Sequence, residues 1–186
     1  MTSGRSLALA GTVAAALAAA CSGVAQTHIG IEAPPESQFP PVGDYLDHRC
    51  GTLDCHGQVG RNLRMWGCDG LRLSDKDISG CVSGRPTTPD EYEATYRSLV
   101  GLEPAVMTAV VQERAADPEL LTFVRKAIGF EGHKGGQLIT SGDDQYKCIV
   151  SWLAGNTDTG ACSKAINYPV FPQAGGGPGQ LDASSE

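Results

Sequence analysis

Thr88-Pro89-Asp90-Glu91-Tyr92-Glu93-Ala94-Thr95-Tyr96-Arg97-Ser98-Leu99-Val100-Gly101 is the clearest start-to-stop element in the chain. A threonine followed three residues later by glutamate is a capping box, and the proline between them sits at the first helical position, where its missing N–H costs nothing. Tyr92, Tyr96, Leu99 and Val100 then fall on one helical face, and Gly101 ends the run. Toward the C-terminus the same period continues. Leu102, Val106, Met107, Val110 and Val111 repeat at helical spacing, with Pro104 at an allowed early position. Asp117-Pro118 restarts a helix carrying Leu120, Leu121 and Val124, which Gly129 closes. Ser141 with Asp144 caps a last helix whose stripe is Tyr146, Ile149, Val150 and Leu153, with Trp152 alongside and Gly155 as the stop. No stretch alternates as a half-buried strand would, and no internal repeat is evident. The fold class expected is all-α with long loops.

Toward the N-terminus, Asp44 to Cys50 reads as a short helix with Asp44 as its cap. It runs into Cys50-Gly51-Thr52-Leu53-Asp54-Cys55-His56. Two cysteines closed by a Cys-His pair mark a c-type haem attachment site: the thiols bond to the porphyrin, and the next histidine turns onto the iron. The usual form has two residues between the cysteines. Here there are four, so the backbone must bulge, and Gly51 supplies the freedom to do so. The competing reading makes Cys50 and Cys55 ordinary half-cystines.

The remaining cysteines bear on that choice. Arg5 precedes the apolar run Leu7 to Ala20, which is too short to span a bilayer and has the form of a secretory signal peptide. Cleavage before Cys21, after Leu17-Ala18-Ala19-Ala20, would make Cys21 a lipidated N-terminus and anchor the protein; Gly23-Val24-Ala25 is the alternative site. Either leaves six cysteines in an oxidising compartment. Cys68 with Cys81, and Cys148 with Cys162, are chain neighbours suited to local staples, which leaves Cys50 and Cys55 beside His56. Three disulfides remain an open alternative, one that gives His56 no purpose. A closed zinc site is disfavoured, because exported cysteine clusters oxidise.

The expected organisation is a signal peptide over 1–20, a Pro-rich tether over 21–43, a helical domain over 44–170 and a disordered Gly/Ser/acidic tail over 171–186. Net charge is −7 with no basic run, so nucleic acid is not an expected partner. For a second axial ligand the chain offers Met65, Met107, His28, His48 and His133. Met107 lies on an apolar helical face and reads as core; His48 and Met65 share the segment of the motif, and His28 the tether. His133 sits in Gly132-His133-Lys134-Gly135-Gly136, whose glycines let backbone approach a flat ligand. Arg61 and Arg64 follow the motif closely enough to pair with haem propionates, or are solvated surface charge.

Leu120-Leu121, Lys126, Gly129, His133, Gly135-Gly136, Tyr146 and Trp152-Leu153 resemble, in order and spacing, the C-terminal half of planctomycete-type cytochrome c domains. The resemblance covers about residues 44–155. It implies a small cytochrome c-like helical domain, with covalent haem c near the N-terminal motif and a histidine loop on the far side. The four-residue gap between Cys50 and Cys55 and the four additional cysteines depart from the pattern. The functional expectation is electron transfer by an exported, lipid-anchored monohaem cytochrome, in the periplasm or outer envelope, exchanging electrons with redox partner proteins. His56 would be the proximal ligand and His133 the distal one. The rivals are a disulfide-stapled surface lipoprotein that binds a partner without any cofactor, and a haem enzyme with an open coordination position.

Overall fold

A computed structural model of the chain describes residues 30–76, 80–81 and 85–167. The expected signal peptide, Cys21, His28 and the tail over 171–186 lie outside them. Six α-helices form the described fold: α1 (Pro40–Cys50), α2 (Pro89–Val100), α3 (Pro104–Gln112), α4 (Thr122–Ala127), α5 (Asp144–Leu153) and α6 (Thr159–Ile166). Short 3-10 turns at Glu36–Gln38 and Pro118–Leu120 precede α1 and α4. Among the described residues there is no strand, only an isolated bridge between Trp66 and Leu71, and no helix is long and apolar enough to cross a membrane.

The helix ends follow local chemistry. At α2 both arms of the capping box are made: Thr88 Oγ1 accepts from Glu91 N, and Glu91 Oε2 accepts from Thr88 N. At α5 the cap is Asp143, not Ser141, its carboxylate accepting from Tyr146 N at 2.7 Å. The helix after Asp117 splits in two, because Leu121 is extended (φ −74°, ψ 125°) and its successor starts α4 afresh. Gly129 and Gly155 leave their helices at φ +82° and +83°, the left-handed region that favours glycine.

α1 begins four residues before the expected Asp44. Pro40 and Pro41 open it without any capping side chain, and Asp44 lies inside it, accepting a hydrogen bond from Tyr92 Oη. Residues 40–43, which the sequence reading gives to the tether, form the first turn of α1. Pro34, Phe39 and Val42 are buried, and two ring groups hold this segment. Trp152 Nε1 donates to Pro35 O, and Tyr96 Oη donates to Pro34 O. The rings of Phe39, Tyr96 and Trp152 meet at centroid distances of 5.1–6.2 Å. Those two polar handles satisfy the aromatic core while pinning the chain that enters α1.

α1 packs against α5, α6 and α2. The sequence reading stopped at α5 and did not anticipate α6, whose buried residues are Ala161, Cys162 and Ala165. Small side chains carry little hydropathic signal, yet they let helices approach closely. Asp158 caps α6 by accepting from Ala161 N at 2.8 Å. The disulfide Cys148–Cys162 ties α6 to α5, and Cys68–Cys81 closes the loop before α2, with Cα separations of 4.6 and 4.7 Å. Both expected staples are present.

Between α1 and α2 the described chain has no helix and is held by buried polar anchors. Thr95 Oγ1 accepts from Trp66 N and donates to Trp66 O. Glu91, 1 % exposed, accepts from Leu73 N and pairs with Arg72 Nε at 3.0 Å. Asp47 Oδ2 accepts from Asp69 N at 2.9 Å.

Candidate functional site

A cavity of about 370 Å³ opens between the C-terminal part of α1, the segment after it, α4 and the His133 loop, within the usual size of small-molecule sites. Its walls are mainly apolar, with Leu46, Met65, Phe123, Leu138 and Ile149 among them. The polar groups that reach it include His56, His133, Arg61, Asn62 and Lys126, and Cys50 lies on its wall.

His56 is fixed at three atoms. Its N–H donates to Cys50 O, its carbonyl accepts from Met65 N, and its Nδ1 lies 2.9 Å from Leu63 O. A carbonyl can only accept, so Nδ1 carries the proton and Nε2 is left with its lone pair. Burial lowers the pKa of His56 below its ordinary value; the Leu63 bond opposes this, while His133 and Arg61 add to it. The ring is thus neutral and able to ligate.

His133 arrives from 77 positions further along the chain. Its Nδ1 faces Gly136 O at 3.2 Å, which again places the proton on Nδ1. Lys126 Nζ donates to Gly132 O, and Arg125 and Lys126 both pair with Glu131, holding that carboxyl below its ordinary pKa. The two imidazoles lie 6.2 Å apart between centroids, with 16° between their planes. Two metal–nitrogen bonds of about 2 Å together with the two ring radii come to about 6 Å, so the spacing suits one metal ion held between the rings.

Cys50 and Cys55 are not disulfide-bonded, whereas the other four described cysteines are. Burial pushes the Cys50 thiol up to about 12. A thiol so rarely ionised is a poor attacker in disulfide exchange. No three of Cys50, Cys55, His56 and His133 bring ligand atoms within 4.8 Å of one another. Cys50, His56 and His133 line the cavity and Cys55 does not, so the four do not converge on a point, as a tetrahedral zinc site would require. The single cluster of that kind among the described residues is Asp47, Cys68, Asp69 and Cys81, and its two sulfurs are spent on each other.

No protein-family model, curated protein or solved structure matches this chain. Residue chemistry and geometry therefore carry the functional argument.

The other expected site residues divide. Arg61 lines the cavity and donates from Nε to Cys55 O at 3.0 Å, which braces the motif loop. Arg64 does not line it; its guanidinium lies over the Trp66 ring, 5.6 Å from the centroid, in a neighbouring groove. Met65 lines the cavity and is almost fully buried, Met107 lies wholly in the core, and His48 Nδ1 pairs with Asp69. Phe123 and Lys126 are wall residues that the sequence reading did not single out as part of the site. Their signal was weak, since α4 is a six-residue helix. Glu103 caps it from a distance, accepting from Thr122 N and Oγ1, both at 2.7 Å.

Proposed function

We propose that this protein is an exported, lipid-anchored monohaem c-type cytochrome with a small cytochrome c-like fold, and that it carries electrons between redox partner proteins. The observation that supports the reading best is the pair His56 and His133, distant in sequence yet facing one apolar cavity, each with Nδ1 on a backbone carbonyl and Nε2 free of hydrogen bonds. Such second-shell bonds fix tautomer and ring orientation at metal sites generally.

In this reading Cys50 and Cys55 would hold the haem through thioether bonds to its two vinyl groups. His56 and His133 would ligate the iron, and Arg61, which lines the cavity, would pair with a propionate. The bound haem supplies one-electron chemistry at iron. The chain's own contribution is to exclude water with Leu46, Phe123, Leu138 and Ile149 and to hold two imidazoles with Nδ1 turned to backbone carbonyls. If His56 and His133 both ligate the iron, a carrier would fit better than an enzyme with an open coordination site.

The test is an alkaline-pyridine absorbance spectrum of the full chain expressed with a cytochrome c maturation system. A c-type α-band that survives acid-acetone extraction is expected. Folded protein with both disulfides and no such band would overturn the reading and leave the cofactor-free stapled lipoprotein.

A further inference from the structure

A second groove, of about 790 Å³, lies beside the first cavity and shares Gly60, Arg61, Asn62 and Leu102 with it. Every charged residue lining it is an arginine: Arg61 and Arg64 from the segment after the motif, and Arg97 from α2. In a chain with 21 acidic and 14 basic residues, a concave surface with three guanidinium groups and no carboxylate is a local reversal of sign. We propose that this groove binds a small organic anion carrying two or more carboxylate or phosphate groups.

The donors suit such a ligand. Arg61 uses only Nε internally, on Cys55 O, which aims a braced guanidinium whose two terminal nitrogens remain available. Arg64 is exposed and rests on the Trp66 ring, an arrangement that orders the fork without consuming its N–H groups. Its backbone N–H donates to Ser98 Oγ, leaving that hydroxyl hydrogen to donate in turn. Arg97 pairs through one terminal nitrogen with Glu93, one turn earlier on α2, and keeps its other donors. Planar forks from three directions match bidentate recognition of carboxylate or phosphate oxygens. A lone exposed ion pair is worth little, but several cations around a concave wall act on one polyanion together. Arg61 is shared with the first cavity, whereas Arg64 and Arg97 line the groove alone, so variants at those two positions leave the residues of the haem reading in place.

The experiment is a titration of the isotope-labelled full chain at low ionic strength with two probes, citrate and inorganic pyrophosphate, following the arginine Nε–H and tryptophan indole N–H resonances by NMR. Saturable shifts at the groove arginines and Trp66 are expected, with Trp152 unmoved because it is fully buried. Whichever probe binds tighter names the oxyanion class. Arg64→Gln with Arg97→Gln should weaken binding at least tenfold, Arg97→Gln alone by less, and Lys164→Gln, on the exposed side of α6, not at all. Arg97 is 75 % exposed at its side chain, so its replacement leaves the core untouched. Shifts that grow linearly without saturating, or equal weakening by Lys164→Gln, would overturn the proposal and leave only diffuse charge screening.

Discussion

Asp47→Asn should stabilise this protein, and more so as pH rises. Asp47 is 2 % exposed, its Oδ2 accepts from Asp69 N, and its Oδ1 has no hydrogen-bond partner. Three glycines make room for the carboxylate: a Cβ on Gly51 or Gly70 would sit 2.5 or 2.7 Å from Oδ1, and one on Gly67 would be as close to the same group. Burial raises the Asp47 pKa from 3.8 to about 6; the Asp69 and Asp44 charges add to this, while the Asp69 N–H and Arg72 oppose it. Between those two pH values the folded state binds more protons than the unfolded, so stability falls as pH climbs from about 4 to above 6. A shift of about two units corresponds to about 3 kcal/mol lost at neutral pH. An amide carries no charge to desolvate. The variant should therefore match the parent near pH 4 and exceed it at pH 7.5 by about 2–3 kcal/mol, or about 10 °C in Tm for a domain of this size. Calorimetric melts of both proteins from pH 4 to 8 provide the comparison, since carboxylates common to both cancel in the difference. Melting curves that stay parallel across that range would refute the argument that Asp47 ionises at a cost in the fold.

Glu91→Ala removes a capping arm, the acceptor for Leu73 N and the ion-pair partner of buried Arg72 together, and should cost about 3–5 kcal/mol in urea unfolding; Glu91→Gln, which keeps the acceptor, should recover part of it. Replacing Cys148 and Cys162 together by alanine opens a loop of 14 residues and should lower stability by about 3 kcal/mol, with far-UV dichroism showing α6 lost before the other helices. In the haem-loaded protein, His133→Met should raise the midpoint potential, because thioether ligation does so relative to imidazole; an unchanged potential and spectrum would remove His133 from the iron.

Helices with a strong apolar stripe were legible in the sequence with or without a side-chain cap, since α3 has none and α6, which Asp158 caps, was missed. The box at Thr88 and Glu91 placed α2, and Ser141 with Asp144 placed α5, whose cap is Asp143, two residues after Ser141. α1 has no polar cap, and its start depends on Phe39 being drawn under Trp152 and Tyr96, a contact across more than 50 positions that no local pattern encodes. α6 was hidden because alanine and cysteine bury well but score weakly as an apolar stripe. At the site, the motif at Cys50–His56 and the glycine-flanked His133 could be read individually. Their approach to 6.2 Å could not, because it depends on how the segment 57–71 folds back beneath α2. The same folding separates Arg61 from Arg64. Three residues apart in an irregular segment, Arg61 lines both cavities and Arg64 only the second, and helical or strand periodicity has no purchase there.

The two histidines are held unequally, and this bears on how the cavity would receive a rigid planar group. His56 is fixed through its N–H, its carbonyl and its ring. The segment around it is tied down by Asp47, Thr95, Glu91 and the Cys68–Cys81 bridge. An irregular chain can be stiff when its backbone groups end on buried side chains, since breaking any one of them leaves an unpaired polar atom in the core. His133 has two bonds, both to Gly136: its Nδ1 on the Gly136 carbonyl and its own carbonyl accepting from Gly136 N, in a loop where Gly136 is left-handed at φ +71° and most residues are exposed. Local openings draw on the least anchored segments. Of the two walls the His56 side is therefore the template. The loop from Gly129 to Gln137 is the side that adjusts, hinged where the left-handed glycines permit rotation and limited by the pairs that Arg125 and Lys126 make with Glu131.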